Sequence, residues 1–80
     1  MKLEILPTTV IGDLLHHYPF VQDFLLTLSP HYTRMTNPVV FKTMKNIATL
    51  QMISRVGGFE IGHFIELIKQ EIKDREEELD

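Results

Sequence analysis

Eighty residues with no cysteine, 44% of them hydrophobic, carry a formal net charge of −3 from 8 Lys and Arg against 11 Asp and Glu. That length holds one small domain, free-standing or a piece of a longer protein, and excludes an active site in a cleft between two domains. The missing cysteine excludes a disulfide framework, a zinc finger, an iron–sulfur site and a thiol nucleophile. A chain this short buries about 60–65% of the surface its unfolded form exposes, so one core claims most of the apolar side chains and none are left to wall a large cofactor pocket.

In chain order, residues 1–8 read as an extended lead-in, because Pro7 restrains the residue before it to extended geometry. Thr8 or Thr9 is the expected cap of a first helix over 10–17, with Val10, Ile11, Leu14 and Leu15 on one face and Asp13 near its positive end. Tyr18-Pro19 ends it, and Pro19 opens a second helix over 19–28 whose Phe20, Phe24, Leu25 and Leu28 share a stripe. Residues 29–36 show no helical periodicity and read as a loop. Asn37-Pro38 is a cap followed by proline at the first helical position, and a third helix follows over 38–45 with Val39, Val40, Phe41 and Met44. Thr49 caps a fourth helix over 50–56, with Leu50, Ile53 and Val56 toward the core, and Gly57-Gly58 stops it by offering a left-handed residue. Glu60 polarises the start of the last helix, 61–77, in which Ile61, Phe64, Ile65, Ile68 and Ile72 form one buried stripe. With no alternating strand pattern, the fold class is all-α: a compact array of about five short helices in a single domain.

Charge is unevenly placed. Residues Glu71 to Asp80 hold six acids and two bases, a net of −4, which leaves +1 for the other 70 residues. Acids at a helix C-terminus oppose the macrodipole, so 71–80 is expected to be a partly frayed, solvated end. The longest apolar run is only a few residues, far below the roughly 18 that span a bilayer, and the start lacks a signal-peptide layout. A cytoplasmic protein with no membrane association is expected.

Chemistry has few footholds. Of the four histidines, His16 and His17 are adjacent and point about 100° apart on a helix, and neither His31 nor His63 stands at ligand spacing from another histidine. Asp13 and His17, four apart, read as a helix-supporting pair. Neither Ser29 nor Ser54 lies in a nucleophile elbow, and Gly57, Gly58 and Gly62 lack the strand and lysine of a phosphate loop. No catalytic, metal or cofactor residue is assigned, and the chain is expected not to be an enzyme. Residues 49–68 have the outline of a helix–turn–helix, but Glu60, Ile61, Gly62, His63 and Glu66 are a poor set to approach phosphates and read bases, which makes nucleic acid a disfavoured partner. What remains is the 29–38 stretch, where His31, Tyr32, Arg34, Met35 and Asn37 form a candidate interaction loop and Lys42, Lys45 and Arg55 add a weak positive face. The competing reading has Tyr32 and Met35 cover the open end of the core.

Three segments carry a family resemblance. Thr9-Val10-Ile11-Gly12-Asp13-Leu14-Leu15 with Tyr18-Pro19, then Asn37-Pro38 with Thr43-Met44, then Ala48-Thr49-Leu50 leading to Gly57-Gly58 are similar, in order and spacing, to the DUF1858 family. The resemblance covers about residues 8–70. It implies a compact bundle of short helices, free-standing or fused to larger domains, related to the N-terminal domains of hemerythrin-associated and DUF438 proteins and of iron–sulfur cluster repair proteins. Some of those relatives carry paired cysteines in the loop that corresponds to 29–37. This chain has His31, Tyr32 and Arg34 there, so any thiol or cysteine–metal role of relatives is lost.

The leading expectation is a non-enzymatic interaction or regulatory module with a protein partner, acting through 29–38 or an adjoining helix face. A small-ligand or metal sensor using His31, Tyr32 or His63 is the alternative, and a helix–turn–helix-like DNA-binding module comes third. A core this small is also compatible with a homodimer.

Overall fold

A computed structural model describes residues 4–79, with side chains through residue 76. Five α-helices and one 3₁₀ helix follow in the order α1 (Ile11–His17), α2 (Val21–Leu28), the 3₁₀ helix (Pro30–Thr36), α3 (Pro38–Met44), α4 (Leu50–Gly57) and α5 (Ile61–Leu79). The described residues form no strand beyond a single antiparallel bridge between Val10 and Thr49, so the class is all-α. A radius of gyration of 11.9 Å matches the roughly 12 Å of a folded chain this long.

Both caps expected around α3 and α4 are present. The Asn37 side chain accepts from the Val39 and Val40 amides, and Thr49 Oγ1 accepts from the Met52 amide. At the far end of α4, Gly58 takes φ 78°, its amide donates to the Arg55 carbonyl and the Phe59 amide donates to the Ser54 carbonyl. Those paired bonds are a Schellman termination.

α1 is capped differently from the expectation. Neither Thr8 nor Thr9 caps it; Thr9 Oγ1 instead accepts from the Leu6 amide and donates to the Glu4 carbonyl, closing the turn before the helix. The first amides of α1 find partners far along the chain: Ile11 donates to the Ala48 carbonyl and Gly12 to the Lys45 carbonyl, both at 2.8 Å. The favour is returned, since Leu50 donates to the Thr9 carbonyl and Gln51 to the Pro7 carbonyl. Each helix start is thus satisfied by backbone carbonyls of the segment entering the other. A Cβ on Gly12 would stand 2.5 Å from the Lys45 carbonyl oxygen, so only glycine permits this approach.

The core is one cluster, with Ile11, Leu14, Val21, Leu25, Leu50, Ile53, Phe64 and Ile68 at its centre. Three expectations need correction, and the structure adds the position of α3. α2 begins at Val21, after a turn through Pro19 and Phe20, and buries Val21 and Leu25, whereas Phe20 and Phe24 are only half-buried. α3 packs against the core through half-buried Phe41 and Met44 alone: none of its residues is fully buried and Val39 is 74% exposed. On α4 the buried set is Leu50, Ile53 and Ser54, and Val56 is 58% exposed. The supposed loop at 29–36 is a seven-residue 3₁₀ helix.

α5 spans 19 residues and is not short. Its stripe holds as read, with Phe64, Ile68 and Ile72 buried and Ile61 and Ile65 partly so. Toward its acidic end Arg75 pairs with Glu71 at 3.0 Å and covers the Phe20 ring at 5.2 Å, while Gln70 donates to Asp74. These contacts hold the helix together across like charges. The backbone is helical through Leu79, and the rest of the expected fraying of 71–80, which concerns Asp80 and the side chains of 77–79, lies outside the described residues. Among the described residues no helix is long and apolar enough to cross a membrane.

Candidate interaction surface

The geometry of the 3₁₀ helix sorts the candidate residues. Ser29 Oγ accepts from the His31 amide at its start, Pro30 supplies a pre-set first position, and Thr33 and Thr36 hydroxyls donate back three residues to the Pro30 and Thr33 carbonyls. With three residues per turn, side chains three apart eclipse. Ser29, Tyr32 and Met35 therefore share the buried face, and His31 and Arg34 share an exposed one.

Tyr32 and Met35 are core residues and leave the candidate surface. Tyr32 is 1% exposed, packs against Phe59 and Phe64 with ring centroids 6.5 and 6.1 Å away, and donates its hydroxyl to the Ile53 carbonyl at 2.7 Å. Burial pushes its pKa up to about 12, with the Gly57 amide working in the opposite direction. A Cβ on Gly57 would collide with the Tyr32 hydroxyl, so the two glycines that end α4 serve different needs: space at 57 and positive φ at 58. Asn37 is exposed, but its side-chain oxygen is committed to the α3 cap.

Beside the exposed face of the 3₁₀ helix lies α4. A pocket of about 290 Å³ between them is lined by Pro30, His31, Thr33, Arg34 and Val56. At 100° per residue, burial of Leu50, Ile53 and Ser54 turns Gln51, Met52, Arg55 and Val56 outward. Val56 is on the flank nearest the 3₁₀ helix, Met52 follows one turn earlier, and Arg55 lies beyond Met52. The result is a seam of two exposed apolar side chains, Met52 at 52% and Val56 at 58%, with Arg34 on one side and Arg55 on the other. Neither arginine has an ion-pair partner among the described residues, and no carboxylate lines the pocket.

Sequence reasoning missed Met52 and Val56. The signal was available: buried positions of a short helix at i, i+3, i+4 and i+7 from Leu50 are 53, 54 and 57, and Val56 at i+6 is rotated out. Arg55 belongs to the weak positive face expected from the sequence, and the structure adds its place beside this stripe. Lys42 is exposed on α3, and Lys45 lines a separate cleft of about 260 Å³ with His16 and Phe41.

The sensor residues do not form one site. Tyr32 is committed inside the core, and His63 sits at the start of α5. There the Glu60 carboxylate accepts from the Gly62 and His63 amides, each at 2.9 Å, and those two bonds lower its pKa, helped by the nearby His63 ring. The same carboxylate occupies the helix start that a helix–turn–helix would bring toward a phosphate backbone. Among the described residues no three or more His, Asp or Glu side chains gather as a metal-holding group.

A single all-α domain whose exposed seam is flanked by arginines defines the class, a small helical module. One family profile matches residues 5–65, a span that includes both halves of the α1–α4 clasp and every residue of the seam. The chain belongs to the DUF1858 family, a domain of unknown function. No curated protein and no solved structure matches it.

Proposed function

We propose that the chain is a non-enzymatic interaction module that binds a protein partner through the seam formed by the 3₁₀ helix and α4. The observation that carries this reading is a pair of apolar side chains on α4, Met52 and Val56, both more than half exposed, with Arg34 beside Val56 and Arg55 on the same outward face of the helix, neither arginine neutralised by a carboxylate among the described residues. Exposed apolar groups rimmed by charge are the make-up of a transient protein interface. The hot-spot preference for arginine at such interfaces supports the same reading.

The test is site-specific photo-crosslinking. A photoreactive residue placed at 52 or 56 in the full chain is expected to capture one and the same protein from native lysate, and the same residue at exposed Lys69 on α5 is not. Labelling at 52 and 56 that is no stronger or more selective than at 69 overturns the proposal.

A further inference from the structure

We infer that the partner segment seated on this seam is an acidic amphipathic α-helix, an inference that rests on the interaction reading above and adds the chemistry of the occupant. Met52 and Val56 stand one turn apart on α4, about 6 Å along its axis. A guest helix presents apolar side chains at the same spacing, at i and i+3 or i+4, so two anchors engage the seam at once. The other common modes of peptide recognition lack their template here. The described residues offer no sheet edge for an added strand, and the seam's exposed side chains include no Phe, Tyr or Trp ring to cradle a proline-rich segment.

Charge selects the flanks of that guest helix. By its place around α4 Arg55 lies on the side of the apolar pair away from Arg34, His31 lines the same pocket as Arg34, and no carboxylate lines that pocket. An apolar stripe bordered by Glu or Asp on both sides meets a guanidinium on each, in the geometry arginine favours for carboxylates. A second copy of this chain is a weaker fit. Its acidic end carries a net charge of −4 over Glu71 to Asp80, but the described apolar side chains nearest it, Ile68 and Ile72, are buried in their own core and cannot serve as anchors.

The experiment titrates the isotope-labelled full chain, observed by amide NMR, with synthetic helical peptides of one scaffold. One peptide carries leucines four apart flanked by glutamates, a second replaces those glutamates with lysines, and a third keeps the glutamates but replaces the leucines with serines. The first is expected to shift the amides of Arg34, Met52 and Val56. Its binding is expected to weaken about tenfold on raising the salt to a few tenths molar or in the Arg34→Glu/Arg55→Glu chain, whose amide spectrum reports that the fold is kept. Equal binding by the glutamate and lysine peptides overturns the acidic assignment while leaving the interaction reading in place. So does crosslinking at 52 and 56 with no response to any peptide. Stronger perturbation of the same amides by a DNA duplex, or concentration-dependent self-association through the seam in sedimentation, also overturns the inference and assigns the surface to nucleic acid or to a second copy. Shifts confined to residues outside the seam, with no selective crosslinking, remove both.

Discussion

Tyr32 shows how one side chain ties separate elements. Its ring packs in one aromatic cluster with Phe59 and Phe64, and its hydroxyl reaches the Ile53 carbonyl in the middle of α4. Tyr32→Phe keeps the ring and removes the hydroxyl, and is expected to lower stability by about 1–2 kcal/mol in urea unfolding. The same residue sets an alkaline limit. Its folded pKa of about 12 lies above the usual 10, so the folded state holds the proton more tightly; the contribution is complete below pH 10 and is lost as pH rises to about 12. A loss of about 2–3 kcal/mol across that window, absent from Tyr32→Phe, is the expected outcome. Gly12 is the second residue whose identity is dictated by contact. Gly12→Ala brings a methyl against the Lys45 carbonyl and is expected to cost about 1–3 kcal/mol, read as a lower melting temperature.

At the scale of elements, the helix starts are fixed in three ways. Asn37 and Thr49 cap with their own side chains, Glu60 caps with a carboxylate, and α1 relies on distant carbonyls. Asn37→Ala and Thr49→Ala are each expected to lower stability by about 1 kcal/mol in thermal unfolding, whereas Thr8→Ala should stay within about 0.5 kcal/mol. Asn37→Ala should also leave crosslinking from position 56 unchanged, because its oxygen serves α3 and not the seam. Glu60 has its pKa depressed by the two amides, so its stabilisation is present above the ordinary glutamate range and is lost as pH falls through the lowered folded value. Glu60→Gln is expected to flatten the acid limb of the stability profile at that end, measured by chemical denaturation across pH.

Across the whole molecule, the clasp between 7–12 and 45–51 joins the start of the chain to its middle. If it opens as one unit, the amides of Ile11, Gly12 and Leu50 exchange hydrogen with a common free energy close to that of global unfolding. Three distinct rates spread toward local fraying would show instead that each helix start opens alone. The seam faces solvent, so Arg34→Glu/Arg55→Glu should change stability by no more than about 0.5 kcal/mol per site while changing binding.

The all-α class, five helices close to their bounds, the Asn37 and Thr49 caps and the glycine stop were legible in the sequence, because each depends on residues within one or two turns of one another. The family resemblance was legible for the same reason, being carried by those local signals. The candidate site was half legible. His31 and Arg34 lie on the exposed face, but Tyr32 and Met35 could not be separated from them by a 3.6-residue test applied to a segment that winds with a period of three. Only the tertiary structure decided what caps α1, why residue 12 is glycine, and that Val56 lies beside Arg34. Those facts come from backbone and side chains brought together across 20 to 40 residues of chain, and a linear pattern does not record which distant carbonyl or guanidinium will be the neighbour.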